Sequence, residues 1–233
     1  MPALPREPGP GDRVAGHRLL KEWSRGEGVV TFEALQEERG EPVLLSLYIS
    51  MRSDDPDVED QIRKEAERVQ AVEAAHFAPL VEWGLEEGIP YLAHRASGRS
   101  LRSWIDGKRR AQRKGRELPD VEKWAMRLAD LAEDAGRLHE DRIGAGGISA
   151  SDILLAADEH LVVVGLGRAG WYGGADPRVS DVRGLLEVVS EIAGLAAPAS
   201  SSRLQEIAGR ELTTSGELAS ELRLAAGSTP RPT

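Results

Sequence analysis

Five histidines, His17, His76, His94, His139 and His160, are the residues best suited to acid–base or metal chemistry. None shares an HxxxH spacing with another, so no pair of ligands sits one helical turn apart. His139 and His160 are expected at a helix end and a turn. The chain has no GxSxG nucleophile motif, no P-loop and no paired-carboxylate signature. It has no cysteine, which excludes disulfides, CxxC redox chemistry and thiolate metal sites. Two surface features remain. Lys108, Arg109, Arg110, Arg113, Lys114 and Arg116 form a local positive stretch on a chain of net charge −9. They either dock an acidic or phosphorylated segment or form a solvated loop between two helices. Trp171 and Tyr172 lie together and are either an exposed binding anchor or packing over a cleft.

The elements that position these groups follow from periodicity. Residues 1–12, rich in proline and glycine, are expected to be a flexible lead-in. HRLLKEW, GVVTFEAL and PVLLSLYIS read as strands, with turns at RGEG and at Glu38-Arg39-Gly40. Residues 56–75 change period: Val58, Ile62, Glu65, Val69 and Val72 recur every three or four positions, as in an amphipathic helix. PLVEWGL and IPYLAHR add two strands. After Gly98 the chain turns helical, with a short helix from SLRSWID interrupted by the basic stretch. A long helix follows with Val121, Trp124, Leu128, Leu131, Ala135 and Leu138 on one face. Two short strands are expected within 152–166. Further helices are expected from Val179, near 202–210 and at 215–226, where Ser180 or Asp181 could cap the first.

The bulk numbers fit this order. A chain of 233 residues, 40% hydrophobic and 30% charged, is globular and long enough for a real core. Net negative charge argues against nucleic acid as a partner. No apolar run approaches the roughly 18 residues of a membrane span, and MPALPREPGPGD lacks the order of a signal peptide. A cytoplasmic protein without membrane insertion is expected.

The order of these motifs resembles the protein kinase fold of bacterial serine/threonine kinases. GDRVAGHRLLKEWSRGEGVVTFEA resembles their opening strand, glycine-rich loop and V-Y-x-A. PVLLSLYIS stands where V-A-I-K would be. LHEDRI before ISASDILL resembles the stretch around H-R-D-x-K-P-x-N-I-L-L, and SDVRGLL resembles S-D-V-Y-S-L-G. The resemblance covers residues 13–226. It implies an α+β, two-lobed chain with residues 13–98 as a small lobe of five antiparallel strands plus one helix. Residues 99–226 would be a mainly helical lobe with a shortened activation segment, and 227–233 a flexible tail.

The same resemblance implies lost chemistry. Aligned on Ala34, the family glycines fall on Ser24, Gly26 and Val29, with Glu27 at the loop tip. The phosphate-binding lysine position is Ser46, and its helix partner falls on Glu65 or Glu67. The catalytic aspartate position is Gly147, the metal-binding asparagine position Asp152 and the metal-binding aspartate position Gly165. Asp181 matches the residue that braces the catalytic loop in that family. Phosphoryl transfer needs these parts in place together. The implied function is therefore a catalytically inactive kinase-like domain that binds another protein as scaffold or regulator, with no catalytic residue, no metal, and no ATP or magnesium bound. The alternatives are a nucleotide sensor without turnover, using Gly26, Gly28, Ser46 and Glu65, or a divergent phosphotransferase.

Overall fold

The structure is a computed structural model that describes residues 7–26, 28–51, 56–113, 119–166, 176–196 and 198–227. The chain divides into two compact units: residues 1–71 with 79–97, and residues 72–78 with 98–233. The units change between residues 97 and 98, and residues 72–78 also group with the second unit. His76 and Ala78 exchange backbone hydrogen bonds with Val163, at 2.8 Å each.

The first unit is an antiparallel sheet. Its strands are β1 (Arg13–Val14), β2 (His17–Gly26), β3 (Val29–Gln36), β4 (Glu41–Leu47), β5 (Leu80–Glu86) and β6 (Ile89–His94), in the order β1-β2-β3-β4-β6-β5. Five strands were expected from the sequence. The sixth, β1, is two residues long, too short to show a period. Ahead of it, the expected flexible lead-in makes a Pro10-Gly11 turn in which Asp12 N–H donates to Gly9 O at 3.0 Å. Gly11 has φ +94, the positive angle that the third residue of a type II turn needs. Val30, Phe32 and Ala34 of β3 and Val43, Leu45 and Leu47 of β4 line one buried sheet face. Bulges bend β2 between Leu19 and Lys21 and between Glu22 and Ser24. Helix α1 (Pro56–Gln70) buries Ile62, Ala66 and Val69 and packs on β5. Burial first, then the Glu82 carboxylate beside it, push the Tyr91 hydroxyl well above its ordinary range.

The second unit is mainly helical. Helix α2 (Leu101–Gln112) runs five residues beyond the expected end at Asp106–Gly107, so Lys108, Arg109 and Arg110 belong to its last turns rather than to a loop. Cations there face the partial negative end of the helix dipole, which favours continuing the helix. Helix α3 (Val121–Glu140) buries Trp124, Leu128, Leu131, Ala135 and Leu138 on one face, as its spacing required. A small sheet joins β7 (Arg99–Ser100), β8 (Ile153–Leu155) and β9 (Leu161–Val163); the β8–β9 hairpin was expected, β7 was not. Three helices follow: α4 (Pro177–Ala193), α5 (Pro198–Ala208) and α6 (Ser215–Ala225). The α4 cap is Asp176, whose side chain accepts from Arg178 N–H. Asp181 therefore lies inside the helix and does not cap it.

Two contacts set how closely these helices pack. A Cβ on Gly184 of α4 would come within 2.0 Å of Ile148 O, so only glycine lets α4 approach the 145–149 loop. Arg223 of α6 is buried, donates to Asp130 of α3 at 2.9 Å and also pairs with Glu133 of α3. Burial works to raise the Glu133 carboxyl, but Arg223 and Arg137 together hold it below its ordinary value.

Two predictions follow from these contacts. Gly184→Ala should cost about 1–3 kcal/mol in urea unfolding, whereas Gly107→Ala, opposite only the flexible end of Arg110, should gain about 0.5–1 kcal/mol. Because the folded value of Glu133 is depressed, its contribution is present above the unfolded carboxyl value and is lost as pH falls through the folded one. Glu133→Gln should therefore lower stability at about pH 7 and narrow its gap to the unmodified chain at about pH 3, read by urea midpoints.

Candidate functional site

In the first unit, the β2–β3 hairpin closes at the Gly26–Val29 pair. Gly28, at φ +76, is committed to structure. Its carbonyl accepts from Ser50 N–H at 3.2 Å and from Ser50 Oγ at 3.4 Å, and a Cβ there would lie 2.1 Å from Ser50 Oγ. Gly26 is different: its φ is not positive and a Cβ would have nothing within 4 Å. Its bare backbone is the part of the hairpin that a ligand could approach. Ser46 of β4 is buried and shares a 2.9 Å hydrogen bond with Thr31 Oγ1, its cross-strand neighbour. The pair satisfies both hydroxyls without any charge. His94 of β6 is also buried, opposite Leu44. Glu27 lies outside the described residues, as does the side chain of Glu65.

In the second unit, the centre is the Asp181 carboxylate, 1% exposed. One oxygen accepts from Gly147 N–H at 2.7 Å. The other accepts from Ala145 N–H at 2.9 Å and lies 3.1 Å from His139 Nε2. An ionised carboxylate only accepts, so Nε2 carries the imidazole hydrogen. His139 Nδ1 is then left to accept from Ser215 Oγ at 3.3 Å. Ser215, His139 and Asp181 have the connectivity of a nucleophilic triad, but the serine is 2% exposed, out of reach of any substrate. The chain of bonds instead fixes the loop.

Along that loop, Gly147 has φ +114 and Gly165, after β9, has φ +91. Residues with a side chain adopt such angles only under strain. Asp152 accepts from Ser149 N–H at 3.0 Å and Ser149 Oγ at 2.6 Å, and its own carbonyl accepts from Val164 N–H at 2.8 Å. It shapes the turn into β8. Leu166 is buried. Among the described residues, no group of three or more histidines and carboxylates is placed to hold a metal ion.

The comparisons with known proteins agree with this layout. No protein-family model matches the chain, and no curated protein matches it in sequence. Solved structures do. The PknI kinase domain of Mycobacterium tuberculosis superposes with a TM-score of 0.65 at 12% identity, over 94% of this chain and 100% of that one. A double mutant of the same domain gives 0.66 at 13% identity, over 95% and 100%. The chain has a bacterial protein-kinase-like fold. At such low identity the likeness establishes fold and leaves chemistry to the residues.

On the kinase-like fold, the sequence-derived positions lie in separate places. Gly147 and Asp152 lie on the segment ahead of β8, which Asp181 of α4 holds at the Gly147 amide, and Gly165 follows within the same unit. Ser46, Gly26 and Gly28 lie in the sheet unit. Trp171, Tyr172, Lys114 and Arg116 lie outside the described residues. Of the remaining basic residues, Arg109 pairs with Glu191 at 3.2 Å and Lys108 sits over the Trp104 ring at 5.6 Å. Arg110 and Arg113 are exposed, with no acidic partner among the described residues.

Sequence reasoning missed the polar contacts that surround the site. His76 Nδ1 donates to Asp134 of α3 at 2.8 Å, and its ring lies 4.2 Å from that of His160. Residues 58 and 84 positions apart leave no periodic signal of meeting.

Replacing Asp181 with alanine should strand two loop N–H groups and His139, at a cost of about 3 kcal/mol or more. Asp152→Ala should cost less, since its partner Ser149 is only part-buried and can turn to water. Urea unfolding of the two variants compares them directly.

Proposed function

We propose that the chain is a kinase-like domain without phosphotransfer activity that acts in the cytoplasm by binding another protein. The observation that carries this reading is the backbone at Gly147 and Gly165. At the positions that the resemblance assigns to the base and a metal ligand, both residues lack carboxylates and hold φ +114 and +91. A side chain could not simply be added there. Ser46 supports the same reading, because its buried bond to Thr31 stands where a phosphate-neutralising cation would be needed. The partner is read as a protein with an acidic or phosphorylated segment, since Arg110 and Arg113 at the end of α2 are exposed and have no acidic partner among the described residues. A second reading, nucleotide binding without turnover, is favoured only by the bare backbone at Gly26.

The purified chain, incubated with labelled ATP and magnesium, should transfer no phosphate to itself or to generic substrates. ATP or ADP at millimolar concentration should leave the melting temperature within about 1 °C, because a ligand stabilises only by mass action on a site it occupies. Phosphate transfer that is lost on a point substitution at Ser46 or Asp152 would overturn the non-catalytic reading. A saturable rise in melting temperature without transfer would favour the sensor.

A further inference from the structure

Two cavities of about 290 and 280 Å³ lie side by side on the sheet unit and share Pro8, Glu87 and Ile89 as walls. Together they form a groove across the apolar sheet face. Val14 and Leu47 line one cavity; Val30 and Ile49 line the other. Asp12 borders only the 280 Å³ cavity and Glu7 only the 290 Å³ cavity. The lead-in therefore runs along the groove toward its N-terminus, with Pro8 between the two spaces. Residues 1–6, MPALPR, precede Glu7 in the sequence.

Their sequence fits what the groove offers. Pro2, Pro5 and Pro8 are spaced by three. A polyproline II helix has three residues per turn, so all three prolines share one face. With Pro8 in the groove, Pro5 and Pro2 follow on the same face, and Leu4 adds apolar surface beside them. The two residues between Pro5 and Pro8 fall on the other two faces of such a helix. Glu7 is ion-paired with Arg25 of β2 on one rim. Glu86 and Glu87 line the smaller cavity and have no cationic partner among the described residues, and Arg6 is the cation nearest in sequence to Glu7 on the N-terminal side.

We propose that this groove is a docking site for a proline-rich left-handed helix, and that its occupant is the chain's own residues 2–6. Pro2 and Pro5 cover the larger cavity and Arg6 pairs with Glu87. The inference rests on the sheet unit alone, and its larger cavity shares Gly26 and Gly28 with the nucleotide-binding reading.

The absence of cysteine makes the test direct. Ala3→Cys carrying a nitroxide is a single label on the full chain. The expected result is strong loss of amide NMR intensity at Gly26, Val29, Ile49 and Ile89, with intensity kept at Arg39 and Gly40 beyond the far end of β3. Adding Leu4→Asp and Pro5→Gly should restore the lost intensity. Arg6→Glu should restore it in part, and combining Arg6→Glu with Glu87→Arg should bring the loss back. No localised loss, or a localised loss that the Leu4 and Pro5 substitutions leave intact, would overturn the proposal. Localised loss produced only when a separate labelled MPALPREP peptide is added would also overturn it, since the occupant would then not be the chain's own segment.

Discussion

The second unit is organised around one buried charge. Asp181 projects from the interior of α4 and accepts from two loop amides and from His139 of α3. A carboxylate buried to this degree is tolerable only when its lone pairs are filled. The loop from Ala145 to Gly147 fills them, and is held in turn. Helix, loop and α3 are thereby fixed by one side chain. His139 extends the network to Ser215 at the start of α6. The close approach permitted by Gly184 is the steric complement of the same arrangement, since α4 must come near enough for Asp181 to reach the loop.

This brace explains how the loop keeps its shape at Gly147, a residue without a side chain. The loop is held by its backbone N–H groups, and these are present whatever side chain stands beside them. Gly147 donates to Asp181 through its amide, a group that does not depend on the side chain. The sheet unit shows the same separation. Ser46 and Thr31 satisfy each other across β3 and β4, so that strand pair is stable without the charge that phosphate binding would require. Structural demands and chemical demands fall on different atoms, and here the atoms that serve structure are the ones in place.

The expectations drawn from the residues succeeded where the signal was periodic. The α3 face from Trp124 to Leu138 repeats a buried position at fixed spacing, and β3, β4 and the β8–β9 hairpin are short apolar runs buried at most positions. They failed where no period exists. Strands β1 and β7 are two residues each and form only because a neighbouring strand offers free backbone groups. The end of α2 was misplaced because Lys108, Arg109 and Arg110 are polar enough to resemble a loop, yet are favourable at a helix C-terminus. Asp181 suggested a cap by its type, but Asp176 was better placed for that role.

The sequence by itself determined the order of elements, the apolar faces and which residue types stand in the loop and the strand. These are properties of residue type and spacing along the chain, and they need no knowledge of distant contacts. Only the tertiary structure decided what the remaining polar residues do. His139, Asp181 and Ser215 are up to 76 positions apart, as are His76 and Asp134 by 58. Their roles depend on which donors burial brings within about 3 Å, and that is set by how the helices pack rather than by any local pattern.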